Sequence, residues 1–189
     1  MNDKVYIDYN DIHRTCADTA MRIKSSGFVP DLLLAIGGGG YIPARILRTF
    51  LKIPIKTVSL ELYNDKINRP NDNVVIRQWV KEEDIKGKKI LVVDEVDDTR
   101  TTLHFCVEEL QKFQPASVAV FVIHNKTKEK KRAQHWDNDE VKKDSVHIDH
   151  YWSGVNVVPD AWLVYPWDAV DIDQHCKNSS TGIQLMKCM

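Results

Sequence analysis

Ile90-Leu91-Val92-Val93-Asp94-Glu95-Val96-Asp97-Asp98-Thr99-Arg100-Thr101-Thr102 is the stretch on which the reading of this chain turns. It opens as an uninterrupted apolar run, which suits a strand covered on both faces. Carboxylates then crowd together at Asp94, Glu95, Asp97 and Asp98. Like charges so close repel, and desolvation sharpens the repulsion. Such a cluster persists where it binds cations or polyhydroxyl ligands, or where it is simply a well-solvated turn. Thr99, Thr101 and Thr102 follow with hydroxyls and backbone N–H groups at the start of a helix, where the dipole favours an anion. Arg100 adds a cation. One turn thus offers carboxylates for a metal or a sugar diol, and a cradle for a phosphate beside them.

Working outward, the strand at 90–93 has companions. Residues 32–36 (Leu-Leu-Leu-Ala-Ile) form a second continuous apolar run, broken by Gly37-Gly38-Gly39-Gly40. Pro43 then sits where an early helical turn tolerates proline, and residues 44–51 carry a helical pattern. Residues 55–60 and 118–123 read as further strands, and residues 102–113 as a helix. Residues 8–26 read as an amphipathic helix, with Ile12, Cys16, Thr19 or Ala20, and Ile23 at helical spacing and Gly27 as its stop. Strands alternating with helices predict an α/β fold, a parallel twisted sheet flanked by helices. Binding sites in such sheets lie beyond the carboxyl ends of the strands. Two strand ends carry unusual chemistry: Gly37 to Gly40 and Asp94 to Thr102. Residues 63–73 read as a mobile polar loop, 125–144 as a charged surface excursion and 177–189 as a loose tail.

Length and composition bound the rest. The chain has 189 residues, enough for a single domain, placed at 1–176. Its formal net charge of −1 gives no global pull toward DNA or an anionic membrane, so any anion site must be local. Cys16, Cys106, Cys176 and Cys188 form no CxxC pair, which argues against a structural zinc or a disulfide framework and for a reducing compartment. No apolar run is long enough to span a bilayer, and the first residues are too polar for a secretory leader. The expectation is a cytoplasmic protein.

Residues 90–102 resemble the signature of the type I phosphoribosyltransferase family: a hydrophobic strand, two acids, two further residues, Asp, and a Thr-rich phosphate loop. Residues 35–45 (AIGGGGYIPAR) and 159–168 (PDAWLVYPWD) are similar to segments of its purine branch, which acts on hypoxanthine, guanine and xanthine. The likeness runs from about Asp31 to Asp168. It implies the family's core sheet with a small purine-binding hood, built from the N- and C-terminal segments. It also implies Mg²⁺, a phosphoribosyl pyrophosphate substrate and a 6-oxopurine base, in a homodimer or higher homo-oligomer. Carried over by that resemblance, Asp94 and Glu95 hold the ribose hydroxyls, directly or through Mg²⁺. Asp98 is the catalytic base or proton holder at purine N7, and Asp98, Thr99, Arg100, Thr101 and Thr102 wrap the 5′-phosphate. Gly37, Gly38, Gly39 and Gly40 receive pyrophosphate, and Tyr63 belongs to the lid. Lys126, Trp162, Leu163 and Asp168 meet the base, with Asp168 also a candidate metal ligand.

Three positions depart from the family pattern. Arg100 stands where a small residue is usual, Gly38 where Lys or Arg is frequent, and Leu62 where Ser is usual. Arg45, Arg69 and Arg77 are candidates for the missing positive charge. Plainer readings remain beside these: four glycines also make a tight strand–helix turn, Lys126 is one of several nearby lysines, and tryptophan is usually core. A phosphoribosyltransferase-like regulator that binds nucleotide or RNA would share the same residues. A haloacid-dehalogenase-type phosphatase is a near miss, since Glu95 stands where its nucleophilic Asp must be.

Overall fold

The computed structural model describes residues 4–64, 69–131, 136 and 146–186. The chain runs β1 (Lys4–Tyr6), α1 (Tyr9–Ser25), β2 (Leu32–Gly37), α2 (Tyr41–Leu51), β3 (Ile55–Asn64), β4 (Arg69–Gln78), α3 (Glu82–Ile85) and β5 (Lys89–Asp97). It continues through α4 (Thr101–Gln111), β6 (Ser117–Lys126), β7 (His150–Val157), β8 (Trp162–Val164) and α5 (Ile172–Met186). The main sheet has six strands in the order β4-β3-β2-β5-β6-β7, and β1 pairs separately with β8. Every pairing is parallel except that of β3 with β4.

Successive strand side chains point to opposite faces, and here both faces are covered. Leu32, Leu34, Ile36, Ile90 and Val92 pack with Leu103, Cys106, Val107 and Leu110 of α4. The alternate residues Leu33, Ala35, Leu91 and Val93 pack with Ile12, Cys16 and Ala20 of α1 and Ala44 and Leu47 of α2. Each leucine, isoleucine or valine among them contributes about 1.5–3 kcal/mol relative to exposure. The double cover explains why these strands read as continuous apolar runs. Asp8 caps α1 by accepting from the Asn10 N–H, and Gly27, at φ +79°, ends it.

The described residues of the polar stretch 63–73, expected as a loop, are strand: 63–64 end β3 and 69–73 open β4. Tyr63 pairs with Pro70 and Asn64 with Arg69 across β3 and β4. β4 is the edge of the sheet, where polar residues and proline are tolerated. Residues 65–68 and the Tyr63 side chain, on which the lid expectation rests, lie outside the described residues. Of the stretch 125–144 expected as a surface excursion, Asn125 and Lys126 end β6, and the chain returns as β7, parallel to it. In the segment expected as a tail, α5 runs on to Met186, the last described residue. His175 of that helix is buried, with Nε2 2.8 Å from the Ile7 carbonyl and its ring edge against Tyr6. No helix among the described residues is long and apolar enough to cross a membrane.

Strand order positions the site. From β2 the chain winds outward to β3 and β4, then returns to the other side of β2 as β5. Helix α2 joins the core on one face and α4 the core on the other. A crevice therefore opens between the carboxyl ends of β2 and β5, where open α/β sheets bind ligands. Those ends carry Gly37 to Gly40 and Asp94 to Thr102.

Candidate active site

The glycine turn and the acidic strand end touch. A Cβ placed on Gly39 would collide with the Glu95 carboxyl group, and one on Gly40 with the Val93 and Ile36 carbonyl oxygens. Glycine is required at these two positions so that the turn can lie against β5. Gly38 faces open space, and a methyl group there would meet nothing within 4 Å. The Gly37–Gly38 peptide bond is cis. Helix α2 follows directly, and its Gly40 N-cap has no side-chain oxygen to cover the first N–H groups. Arg45 bonds along its own helix to Thr49, and Arg77 pairs with Glu61 across the hairpin. Neither is committed to the glycine turn, and the Arg69 side chain lies outside the described residues.

Asp94 is buried, and its Oδ1 accepts from the Glu95 N–H at 2.9 Å. Burial first, and the Glu95 charge next, push its carboxyl well above the ordinary range. Buried carboxylates of this kind attract a cation. Asp168, at the end of a 3-10 turn spanning Pro166–Asp168, is also raised, by desolvation and then by Glu95. The Glu95 charge thus acts on both Asp94 and Asp168, the other two candidate metal ligands. Among the described residues no three His, Cys, Asp or Glu side chains converge as ligands. A pair of adjacent carboxylates still fits Mg²⁺, which commonly takes one or two from the protein and the rest from substrate oxygens and water.

Asp98 lies between two lysines. Its Oδ2 is 3.4 Å from Lys126 Nζ at the end of β6, and Lys128 pairs with its other oxygen. Partial burial works to raise its proton affinity, but the Lys128 hydrogen bond and the charges of Lys126 and Lys128 outweigh it. The net shift is downward, so Asp98 is an ionised acceptor at neutral pH. Thr99 and Thr101 share a hydroxyl hydrogen bond of 2.9 Å, and α4 starts at Thr101.

Arg100 corrects one expectation. Its backbone takes the left-handed conformation (φ 64°, ψ 7°), which a small residue would adopt more readily. Its side chain is only 2% exposed. Asp97, fully buried, accepts from Arg100 Nε at 2.8 Å and from its terminal nitrogen at 2.6 Å. The guanidinium lies over the rings of Trp136 and Tyr151, with centroids at 5.4 and 4.8 Å, and the Tyr151 hydroxyl donates to Asp97 at 2.7 Å. The Arg100 guanidinium is therefore held inside the fold by Asp97, Trp136 and Tyr151.

The terminal segments meet as a separate sheet: Trp162 pairs with Lys4, Leu163 with Val5 and Val164 with Tyr6. Trp162 is 62% exposed, which removes it from the core. Leu163 is half-buried against it. Tyr165 stacks on Trp167 (centroids 4.6 Å apart, 6° between planes), donates to the Glu95 carbonyl at 3.2 Å and lies 2.8 Å from His124 Nδ1. Because Tyr165 donates to Glu95, His124 donates to Tyr165 through Nδ1. Sequence reasoning alone misses His124, Lys128, Lys130, Trp136, Tyr151 and Tyr165 as members of this region. For the lysines, the even spacing of 126, 128 and 130 is the one signal that points to them.

Residues 8–162 match the phosphoribosyl transferase domain family. The hypoxanthine-guanine phosphoribosyltransferase of Schizosaccharomyces pombe is 41% identical over 200 residues, covering 91% of this chain and 92% of that protein. Xanthine phosphoribosyltransferase 1 of Saccharomyces cerevisiae is 38% identical over 204 residues, covering 92% and 94%. A hypothetical protein from Neisseria gonorrhoeae, whose crystal structure has bound ppGpp, superposes with a TM-score of 0.81 at 41% identity, covering 96% of this chain and 98% of that one.

Proposed function

The chain belongs to the phosphoribosyl transferase family, and from that premise we propose that it salvages purines, moving phosphoribosyl from phosphoribosyl pyrophosphate onto a 6-oxopurine. The observation that carries this reading is the contact of the glycine turn with Glu95 in the crevice between β2 and β5. A sugar whose hydroxyls rest on Asp94 and Glu95 has its C1 pyrophosphate beside Gly37 to Gly40. Its 5′-phosphate lies beside the N–H groups of Asp98 to Thr102. The chemistry is displacement at C1, with N9 of the base attacking as pyrophosphate leaves, and it rests on positioning and electrostatics.

Asp98, held ionised, accepts the N7–H hydrogen bond and stabilises the positive charge that the purine gains as N9 bonds to C1. Lys126, which pairs with Asp98 here, donates to the 6-oxo oxygen when the base arrives. Trp162 gives the base a flat apolar face, Leu163 lends backbone contacts, and Asp168 lies toward the exocyclic edge. Asp94 and Glu95 would hold Mg²⁺ together with substrate oxygens, and the ion when bound neutralises charge on the leaving pyrophosphate. Tyr63 sits on the hairpin that would cover the reacting centre and exclude water.

Nucleotide formation assayed against a panel of bases tests this directly. Hypoxanthine, guanine or xanthine should turn over with phosphoribosyl pyrophosphate and Mg²⁺, and adenine should react little, because a lysine donor suits a 6-oxo group and not a 6-amino group. Faster turnover of adenine would sink the base assignment. The ppGpp in the gonococcal relative adds one expectation. A guanosine nucleotide with a 5′-diphosphate matches the same hood and phosphate loop, so ppGpp should inhibit competitively with phosphoribosyl pyrophosphate.

A further inference from the structure

Lys130 is buried, 4% exposed, in a position that the catalytic reading does not use. Its ammonium donates to the carbonyl oxygens of Asp97 at 2.8 Å, Asp98 at 3.2 Å and Lys126 at 2.8 Å. The next residue continues the pattern, because the Lys131 N–H donates to the Thr99 carbonyl at 3.1 Å. Three consecutive carbonyls of the phosphate loop, Asp97, Asp98 and Thr99, are thus drawn toward one short segment that begins beyond β6.

In a trans peptide unit the C=O and the following N–H point in opposite directions, and among the described residues the cis bond is at Gly37–Gly38, not here. Turning the carbonyls of 97, 98 and 99 inward therefore turns the N–H groups of Asp98, Thr99 and Arg100 outward. Successive N–H groups aimed at one side form an anion-binding concavity. The left-handed Arg100 completes its curvature, and its side chain pins the loop's far end to Asp97.

We propose that Lys130 is a positioning residue that builds the 5′-phosphate cradle from behind, by gripping the carbonyls of Asp97 and Asp98 so that their peptide N–H groups face the phosphate. This rests on the reading of Asp98 to Thr102 as that cradle. Lys130 touches no substrate and acts only through the loop. An ammonium suits the task because it offers three donors and no acceptor. Its effect falls on the phosphate end of the substrate and spares the pyrophosphate end, which belongs to the glycine turn.

Lys130→Met and Lys130→Gln, titrated with ribose 5-phosphate and separately with magnesium pyrophosphate, test it, with melting temperature as a check on folding. Loss of charge-assisted hydrogen bonds on this scale should weaken ribose 5-phosphate by about tenfold or more. Magnesium pyrophosphate should stay within about twofold by the same conversion. In turnover, the KM for phosphoribosyl pyrophosphate should rise more than kcat falls. If Lys130→Met does not fold, Lys130→Gln, which keeps a donor, decides by the same comparison. Unchanged ribose 5-phosphate affinity in a folded variant overturns the proposal, as does equal weakening of both ligands. A wild-type protein that binds no ribose 5-phosphate removes the cradle itself, whereas a failed base panel with ribose 5-phosphate still bound strikes only the choice of base.

Discussion

Asp98 is held by Lys126 and Lys128 in a way that separates two roles a carboxylate can play at a purine. Its depressed proton affinity makes it a poor general base and a good fixed negative charge. Asp98→Asn should cut kcat by roughly a hundredfold or more, the scale of losing one preorganised electrostatic stabiliser, while phosphoribosyl pyrophosphate still binds, since Asp94 and Glu95 are untouched. Because the shift is downward, ionised Asp98 persists as pH falls through the ordinary carboxylate range and is lost only below it. Lys128→Met should move that acidic limb of kcat upward, and a limb that stays put would assign it to another group. Trp162 poses a different question, since 62% exposure leaves little packing to lose. Trp162→Leu should weaken base binding by about ten- to a hundredfold, the scale of base stacking on an aromatic ring. Its melting temperature should barely change. Stability loss with unchanged base affinity would take Trp162 out of the site.

Among the elements, the glycine turn makes the sharpest contrast. Gly39→Ala has to displace the Glu95 carboxylate or the turn itself, whereas Gly38→Ala meets nothing within 4 Å. The first should raise the KM for phosphoribosyl pyrophosphate steeply, and the second should leave it within a few-fold of the parent. Equal effects would mean that backbone freedom, and not close approach, is what the turn needs. The elements legible in the sequence are those with one clear burial pattern. β2, β5 and β6 are covered on both faces, and α1 has a single apolar stripe. Residues 69–73 of β4 read as a loop because an edge strand needs no apolar face, and β7 stays hidden because it is half-exposed along most of its length. The same limit applies within the site. Asp94, Glu95, Asp98 and the glycines lie in two short local motifs. Arg100 reads as a phosphate ligand because its aromatic partners, Trp136 and Tyr151, are remote in sequence.

At the scale of the molecule, one buried histidine ties stability to pH. Burial lowers the His124 pKa from 6.5 to about 4. The unfolded chain takes up that proton at higher pH than the folded one, so folding loses stability as pH drops from 6.5 toward 4. The loss is on the order of 3 kcal/mol by linkage. Urea unfolding of His124→Gln should show a shallower fall across this window, and parallel curves would place the proton uptake elsewhere. Helix α5 supplies a second whole-chain test. Its His175 and Ser179 are buried and His175 holds the Ile7 carbonyl, so deleting residues 172–189 strips the cover from β1, the strand that pairs with β8. Base affinity should fall far more than affinity for phosphoribosyl pyrophosphate, since the acidic and glycine segments stand on the main sheet.

That division into a six-stranded sheet and a separate two-stranded pair gives the chain two clocks. No ladder among the described residues runs from one sheet to the other, so the pair can part without unzipping its larger neighbour. In heavy water the amides of β5 and β6 should wait for global unfolding before they exchange, while Leu163 and Val164 trade their protons sooner. Guanosine monophosphate, its base against β8 and its ribose phosphate against the β5 loop in the proposed site, should slow both clocks, because a ligand that binds only the folded chain stabilises it against every opening that releases it.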